Sequence, residues 1–211
     1  MTSFIPASTP REWLFESQID GLDVSVDGRL LCCASNLEGN QWDGSIHIIN
    51  LNSDSDTPEI SANSSAGCSL SKFIGNNQSK VITARDDGNI GLYSSANLSE
   101  IDMIKSHDDI VSCLTCDSND CHKFFSASWD GYFFEYTIGK GRGEIVHEVE
   151  AHSGIIHDMA ISSTFNLLCT VGHDGFARIW DTRSLMSGCT GIIALDQIGA
   201  SVSWRAGSVN I

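Results

Sequence analysis

An all-β fold, a β-propeller of four-stranded blades, is what this sequence predicts, and three observations predict it. The dipeptide Asp-Gly recurs as Asp43-Gly44, Asp87-Gly88, Asp130-Gly131 and Asp174-Gly175, at spacings of 44, 43 and 44 residues. A period of this size falls within the roughly 40–45 residues of a propeller blade. Each pair lies between two short runs with strand character, as in a hairpin whose glycine tolerates positive φ at little cost. Finally, no apolar stripe at helical spacing persists for three turns anywhere in the chain.

The strands follow in order. In the first unit LDVSV and LLCCAS precede an insertion, Asn36 to Trp42, before SIHIIN. The second unit reads SLSKF, KVITAR, the turn DDG, NIGLYS and EIDMIK; the third reads IVSCLTC, KFFSAS, WDG, YFFEYT and EIVHEVE. In the fourth, a strand around Ile156 to Ile161 precedes LLCTVG (Leu167 to Gly172), the turn His173-Asp174-Gly175, FARIWD (Phe176 to Asp181) and CTGIIALD. This places blades at about 18–61, 66–105, 106–149 and 151–195 after an N-terminal arm, 1–17, with the start of a fifth blade at 199–211. At this period the chain holds about four and a half blades, so sheet faces are expected to be left uncovered.

The chain has 211 residues, 12 Lys plus Arg against 27 Asp plus Glu, a net charge of −15 and a pI near 4.6. Nucleic acid and anionic membranes are disfavoured as direct partners, because attraction to phosphate needs the opposite sign; basic proteins are favoured. With 41% apolar residues and a mean hydropathy of −0.05, the chain has enough apolar residues for a core, and no apolar run reaches the roughly 20 residues of a spanning helix. The N-terminus has neither signal-peptide nor transit-peptide character. Eight cysteines then read as small buried apolar residues in a reducing compartment, cytoplasmic and nuclear. The sequons at Asn63, Asn77 and Asn97 are accordingly expected to stay unmodified.

Residue types of a nucleophilic triad occur in His152, Asp174 and Thr170, but they recur one period earlier as His107, Asp130 and Ser126. A catalytic site needs no copy at the blade period, so a structural network is the better reading and no enzyme is expected. Cys113, Cys116, Cys121 and His122 invite a zinc site, yet Cys113 and Cys116 fall in one strand at odd separation and so on opposite faces. No phosphate-binding loop or acid/base pair of carboxylates appears, so neither cofactor nor metal is expected. The basic, Gly-rich GKGRGE, Gly139 to Glu144, reads as a mobile turn between the third and fourth strands of a blade.

The fourth unit carries His152, Thr170, Asp174 and Trp180 in a pattern that resembles the WD-repeat family. The resemblance implies a buried network in which the His links the turn Asp to the blade and the hydroxyl and the indole N–H complete it. The third unit fits with Tyr136 at the Trp position; the second keeps Thr83 and Asp87, has Tyr93 and lacks the His; the first keeps little beyond Asp43-Gly44.

More specific strings are REW at Arg11 to Trp13, ASNLEGNQWDGSIHI from Ala34 to Ile48, and SHDDIVS from Ser106 to Ser112. With these the chain resembles the WD-repeat subunits of the methylosome, which partner the type II protein arginine methyltransferase. That resemblance implies a ring of seven blades, on the order of 300 residues, of which about four and a half are present here, and a non-catalytic scaffold in a hetero-oligomer that presents basic substrates, Sm-type spliceosomal proteins and histones, for symmetric arginine dimethylation. Ser35, Leu37, Gly39, Trp42, Gly44 and Ser45 match that family's string; its Trp enters a pocket on the methyltransferase, and Asn40 and Gln41 depart from the family's pair. Trp42 sits on the inserted hairpin, where it either reaches a partner as an exposed hot spot or folds back over its own blade. Trp13 packs the arm under the propeller, joins the contact, or does both. An alternative rests on WDTR at Trp180 to Arg183, which resembles the motif of WD-repeat substrate receptors of cullin-type ubiquitin ligases; Arg183 would then contact the adaptor. A scaffold unrelated to either system is the third reading.

Overall fold

The computed structural model describes residues 15, 17–38, 41–53, 57–139 and 141–205. These residues form four antiparallel sheets of four strands each, and in every sheet the strands lie in chain order. Blade one comprises β1 (Gln18–Val24), β2 (Arg29–Glu38), β3 (Gln41–Asn50) and β4 (Ile60–Ser64); blade two β5 (Cys68–Ile74), β6 (Lys80–Arg85), β7 (Asn89–Ser94) and β8 (Glu100–Lys105). Blade three comprises β9 (Val111–Cys116), β10 (Lys123–Ser128), β11 (Tyr132–Gly139) and β12 (Arg142–Glu150); blade four β13 (Ile156–Ser162), β14 (Leu167–Gly172), β15 (Phe176–Asp181) and β16 (Gly191–Ala194). Two short 3-10 turns, Asn76–Gln78 and Leu185–Ser187, are the only helical segments among the described residues.

The second strands β6, β10 and β14 are buried along almost their whole length. A strand covered on both faces has no polar side to show, which is why KVITAR, KFFSAS and LLCTVG lack the apolar-polar alternation of a one-sided sheet. Apolar layers fill the gaps between blades: Leu31, Ile46, Phe73 and Val81 between one and two, Ile82, Leu92, Phe124 and Tyr136 between two and three, Phe125, Phe133, Ile156 and Trp180 between three and four. Cys113 belongs to the layer facing blade four, whereas Cys116 leans on the layer facing blade two, so the two thiols do occupy opposite faces of β9. The outermost β12 is exposed at most positions and turns back from β11 at Gly141, whose φ of 86° is the left-handed value a glycine takes easily.

The first strands stand side by side, and polar side chains tie each to the next. The Ser69 hydroxyl donates to the Val111 carbonyl at 2.6 Å, and the Ser112 hydroxyl to the Ile156 carbonyl at 2.6 Å. Asp23 accepts the Phe73 amide at 2.9 Å, and Asp158 accepts the Val202 amide at 2.8 Å. The segment 199–205 thus stands beside β13 where a further first strand would, with the Trp204 indole donating to the Ala160 carbonyl at 3.0 Å, although it pairs with no other strand. Residues 206–211, the rest of the expected fifth-blade start, lie outside the described residues. Val202 and Trp204 cover Cys169, Val171 and Ala177 on blade four, while Leu22 and Val24 on the far face of β1 remain 53% and 56% exposed.

One turn is not where the spacing predicts it. Asp43-Gly44 lies inside β3, with Asn36 opposite Asp43 and Ser35 opposite Gly44. The insertion lengthens the β2–β3 hairpin, whose pairing continues to Glu38 opposite Gln41, so the dipeptide becomes strand. Gly88, Gly131 and Gly175 have φ of 79°, 88° and 77°, as turn glycines should, and Gly44 is not among the residues with positive φ. Its lack of a side chain serves close approach instead: a Cβ there would stand 2.7 Å from the Ala66 carbonyl oxygen and 2.9 Å from that of Ala34.

Candidate functional site

Blade four contains one continuous buried chain of hydrogen bonds. The Trp180 indole N–H donates to Thr170 Oγ1 at 3.1 Å, the Thr170 hydroxyl meets His152 Nε2 at 2.9 Å, and His152 Nδ1 meets Asp174 Oδ1 at 2.8 Å. In the neutral imidazole with Nδ1 protonated and Nε2 bare, each of these three links has one donor and one acceptor; Arg178 Nη1 also stands 2.6 Å from Nδ1, a contact that is no hydrogen bond in this tautomer. Burial holds the His152 pKa below its ordinary value, against the pull of Asp174, and the nearby Arg178 charge acts in the same direction as burial. Burial alone would raise the Asp174 pKa, but bonds from His152 and from Arg178 Nη1, at 2.8 Å, bring it down to about 2.

Blade three repeats this with different chemistry at one end. Tyr136 and Ser126 share a hydroxyl–hydroxyl bond of 2.9 Å, Ser126 meets His107 Nε2 at 2.7 Å, and His107 Nδ1 meets Asp130 Oδ2 at 2.9 Å. Asp130 also accepts the backbone amides of Asp108 and Tyr132, at 3.1 and 2.9 Å, fastening the incoming loop to the turn. In blade two, which has no such histidine, Arg85 stands in: its Nε and Nη2 grip Asp87 at 3.1 and 2.7 Å, and Nη2 also donates to Ser65 at 2.9 Å. Thr83 there bonds Ser71 Oγ at 2.9 Å. Neither Arg85 nor Arg178 is evident from the repeat pattern; the signal for Arg85 is a base two residues before the turn Asp in the one such unit without a His. These groups hold the loops at one end of the blades, and in neither histidine chain is a nucleophile left free beside a base.

The strongest candidate for contact with another protein is on the β2–β3 hairpin at the same end. Trp42 lies in β3 opposite Leu37 and is 49% exposed; Leu37 is exposed as well. The indole neither projects freely nor folds over its own blade. It crosses to blade two, where Nε1–H donates to the Asp86 carboxylate. Trp42 lines an open pocket of about 480 Å³ with Asp43, Asn63, Ser64 and Ser65. Gly39 and Trp13 lie outside the described residues. Arg183 is far from this place in the chain, follows β15, and is 68% exposed, but its Nε already donates to Asp181 at 2.8 Å.

Together these features define blades of an all-β propeller with hydrogen-bond networks of WD-repeat type. Residues 98–134 and 143–181 match the family described as WD domain, G-beta repeat. Among solved structures, the chain is similar to one in the crystal structure of the mitotic checkpoint complex, with a TM-score of 0.72 and 16% identity over 95% of this chain and 63% of that one. The chain therefore spans somewhat under two thirds of the length of that chain. With 1317 solved chains matching, the fold is too widely shared to specify a partner. No curated protein matches the sequence. WD repeats imply a protein-interaction scaffold, and proteins built from them are in general not catalysts.

Proposed function

We propose that this protein is a non-catalytic, substrate-presenting subunit of an arginine methyltransferase complex, docking on the type II enzyme through Trp42. The observation that carries this reading is a half-exposed tryptophan on an extended hairpin, inside the string Ser35, Leu37, Gly39, Trp42, Gly44 and Ser45 that resembles the methylosome family. A large aromatic with no core to fill is a typical interface hot spot. The net charge of −15 suits Arg-rich and Lys-rich substrates such as Sm-type proteins and histones, and sites of action in cytoplasm and nucleus follow from those substrates. The ligase reading through Arg183 is weaker, because an adaptor has to compete with Asp181 for that guanidinium.

A binding titration decides between them. The chain should bind the methyltransferase, and Trp42→Ala should weaken binding by about 30-fold or more, the loss of a typical hot spot. Undiminished binding by the variant overturns the assignment of Trp42; no binding by the unaltered chain overturns the function. Arg183→Ala, tested against the ligase adaptor, should change nothing.

A further inference from the structure

We infer that Asp86 is a positioning residue for Trp42, holding the indole across the junction of blades one and two so that only its apolar edge and faces are offered to a partner. The inference rests on the docking role proposed above and concerns how that site is built. Trp42 and Asp86 are 44 residues apart, one blade period, and belong to different sheets. The indole has a single hydrogen-bond donor, and Asp86 occupies it. The backbone that carries the carboxylate is itself fixed, because the Asp86 amide donates to the Gly67 carbonyl at 3.0 Å, which anchors the turn of blade two to the loop that leaves blade one.

Gly67 supplies a second, independent observation. A methyl group built on it would collide with both the Trp42 Nε1 and the Asp86 Oδ2, so the absence of a side chain at this position is what lets the pair meet. The neighbouring Arg85 takes no part, since its guanidinium points inward to Asp87 and Ser65. The partner's slot for Trp42 is therefore apolar and needs no acceptor for the indole N–H. Fixing the ring before contact also lowers the cost of ordering it on binding.

The test combines a partner-free measurement with a double-mutant cycle on the full chain. In the NMR spectrum, the indole N–H signal lost in Trp42→Phe identifies Trp42 among the five tryptophans. That signal should be protected from exchange in the unaltered chain, lose protection in Asp86→Ala and in Gly67→Ala, and keep it in Asp86→Asn, whose amide oxygen still accepts. Affinity for the methyltransferase should fall about tenfold in Asp86→Ala and recover in Asp86→Asn, a factor in keeping with one lost hydrogen bond to a charged group. In the Trp42→Phe background, which keeps an aromatic face without the N–H, Asp86→Ala should add less than about twofold, as expected when both changes act through one contact. An unchanged Trp42 N–H signal in Asp86→Ala overturns the inference, whatever the partner. So does a tenfold loss that persists in the Trp42→Phe background, since Asp86 would then touch the partner itself. If the chain binds no methyltransferase, the proposed function falls and the NMR arm still decides the role of Asp86.

Discussion

The Tyr136 hydroxyl lies 2.9 Å from Ser126 Oγ, doing in blade three what the Trp180 indole N–H does at 3.1 Å from Thr170 in blade four. Two different side chains thus deliver a donor to the same point of the blade. The phenol ring stacks flat on Phe124 at 4.5 Å between centroids, whereas the indole meets Phe133 edge-on at 5.1 Å. Tyr136→Phe keeps the stacking and removes only the donor. It should cost about 1–2 kcal/mol, the price of leaving a buried hydroxyl short of a partner, measured as a lower midpoint in urea with an unchanged slope. Trp180→Phe should cost more, because it also leaves a cavity.

Acid should destabilise the fold in two stages. The folded His152 pKa is depressed below its ordinary 6.5 by burial, so its contribution is fully present above that value and lost as the pH falls through the folded value. Asp174 is depressed from 3.8 to about 2 by His152 and Arg178, so its share is present above 3.8 and lost only as the pH approaches 2. Urea midpoints followed downward from pH 7.5 should fall first through the histidine range. His152→Gln should start less stable and show a smaller upper stage, with half-buried His47, whose pKa is lowered in the same way, keeping its share; an identical pH profile in the variant contradicts the assignment.

Gly44→Ala should destabilise by about 1–3 kcal/mol, as overpacking against an immobile backbone does. The added carbon meets the carbonyl oxygens of Ala66 and Ala34, and neither can rotate away. Gly139→Ala, where nothing lies within 4 Å of the new carbon, is the matched control and should be close to neutral. Thermal melts of the two variants side by side make the comparison.

Recruitment of basic substrates should weaken with salt. The chain carries a net −15, and at about 0.3 M salt the field of exposed charges is screened within a few ångströms, against more than 10 Å at about 0.05 M. Affinity for an Arg-rich tail peptide should drop several-fold over that range, while affinity through Trp42 should change little. Tail binding indifferent to ionic strength rules the electrostatic account out.

The blades were readable from the chain because a turn such as Asp130-Gly131 and the strands around it are fixed by neighbours close in sequence. His107, Asp130 and Ser126 recur one unit on as His152, Asp174 and Thr170, and repetition alone argues for a structural part. Asp43-Gly44 was misleading for a physical reason: the same two residue types suit a tight turn and a close backbone approach, and only the length of the hairpin separates the two. Arg85 escaped because a long side chain reaches its carboxylate from a position that the repeat does not mark. The pairing of Trp42 with Asp86 depends on how two sheets are set against each other, which no local pattern encodes, although their separation by one period was a visible clue.

The bonds that clasp neighbouring first strands have a kinetic consequence. Ser69 reaches Val111, Ser112 reaches Ile156 and Asp158 reaches Val202, at separations of 42, 44 and 44 residues. Each clasp closes a loop of nearly constant size, so each carries nearly the same entropic cost, and none has to wait for a distant part of the chain. Growth from the N-terminus then resembles a zipper with one tooth per blade: as each new first strand is made, the receptor that will hold it is already in place.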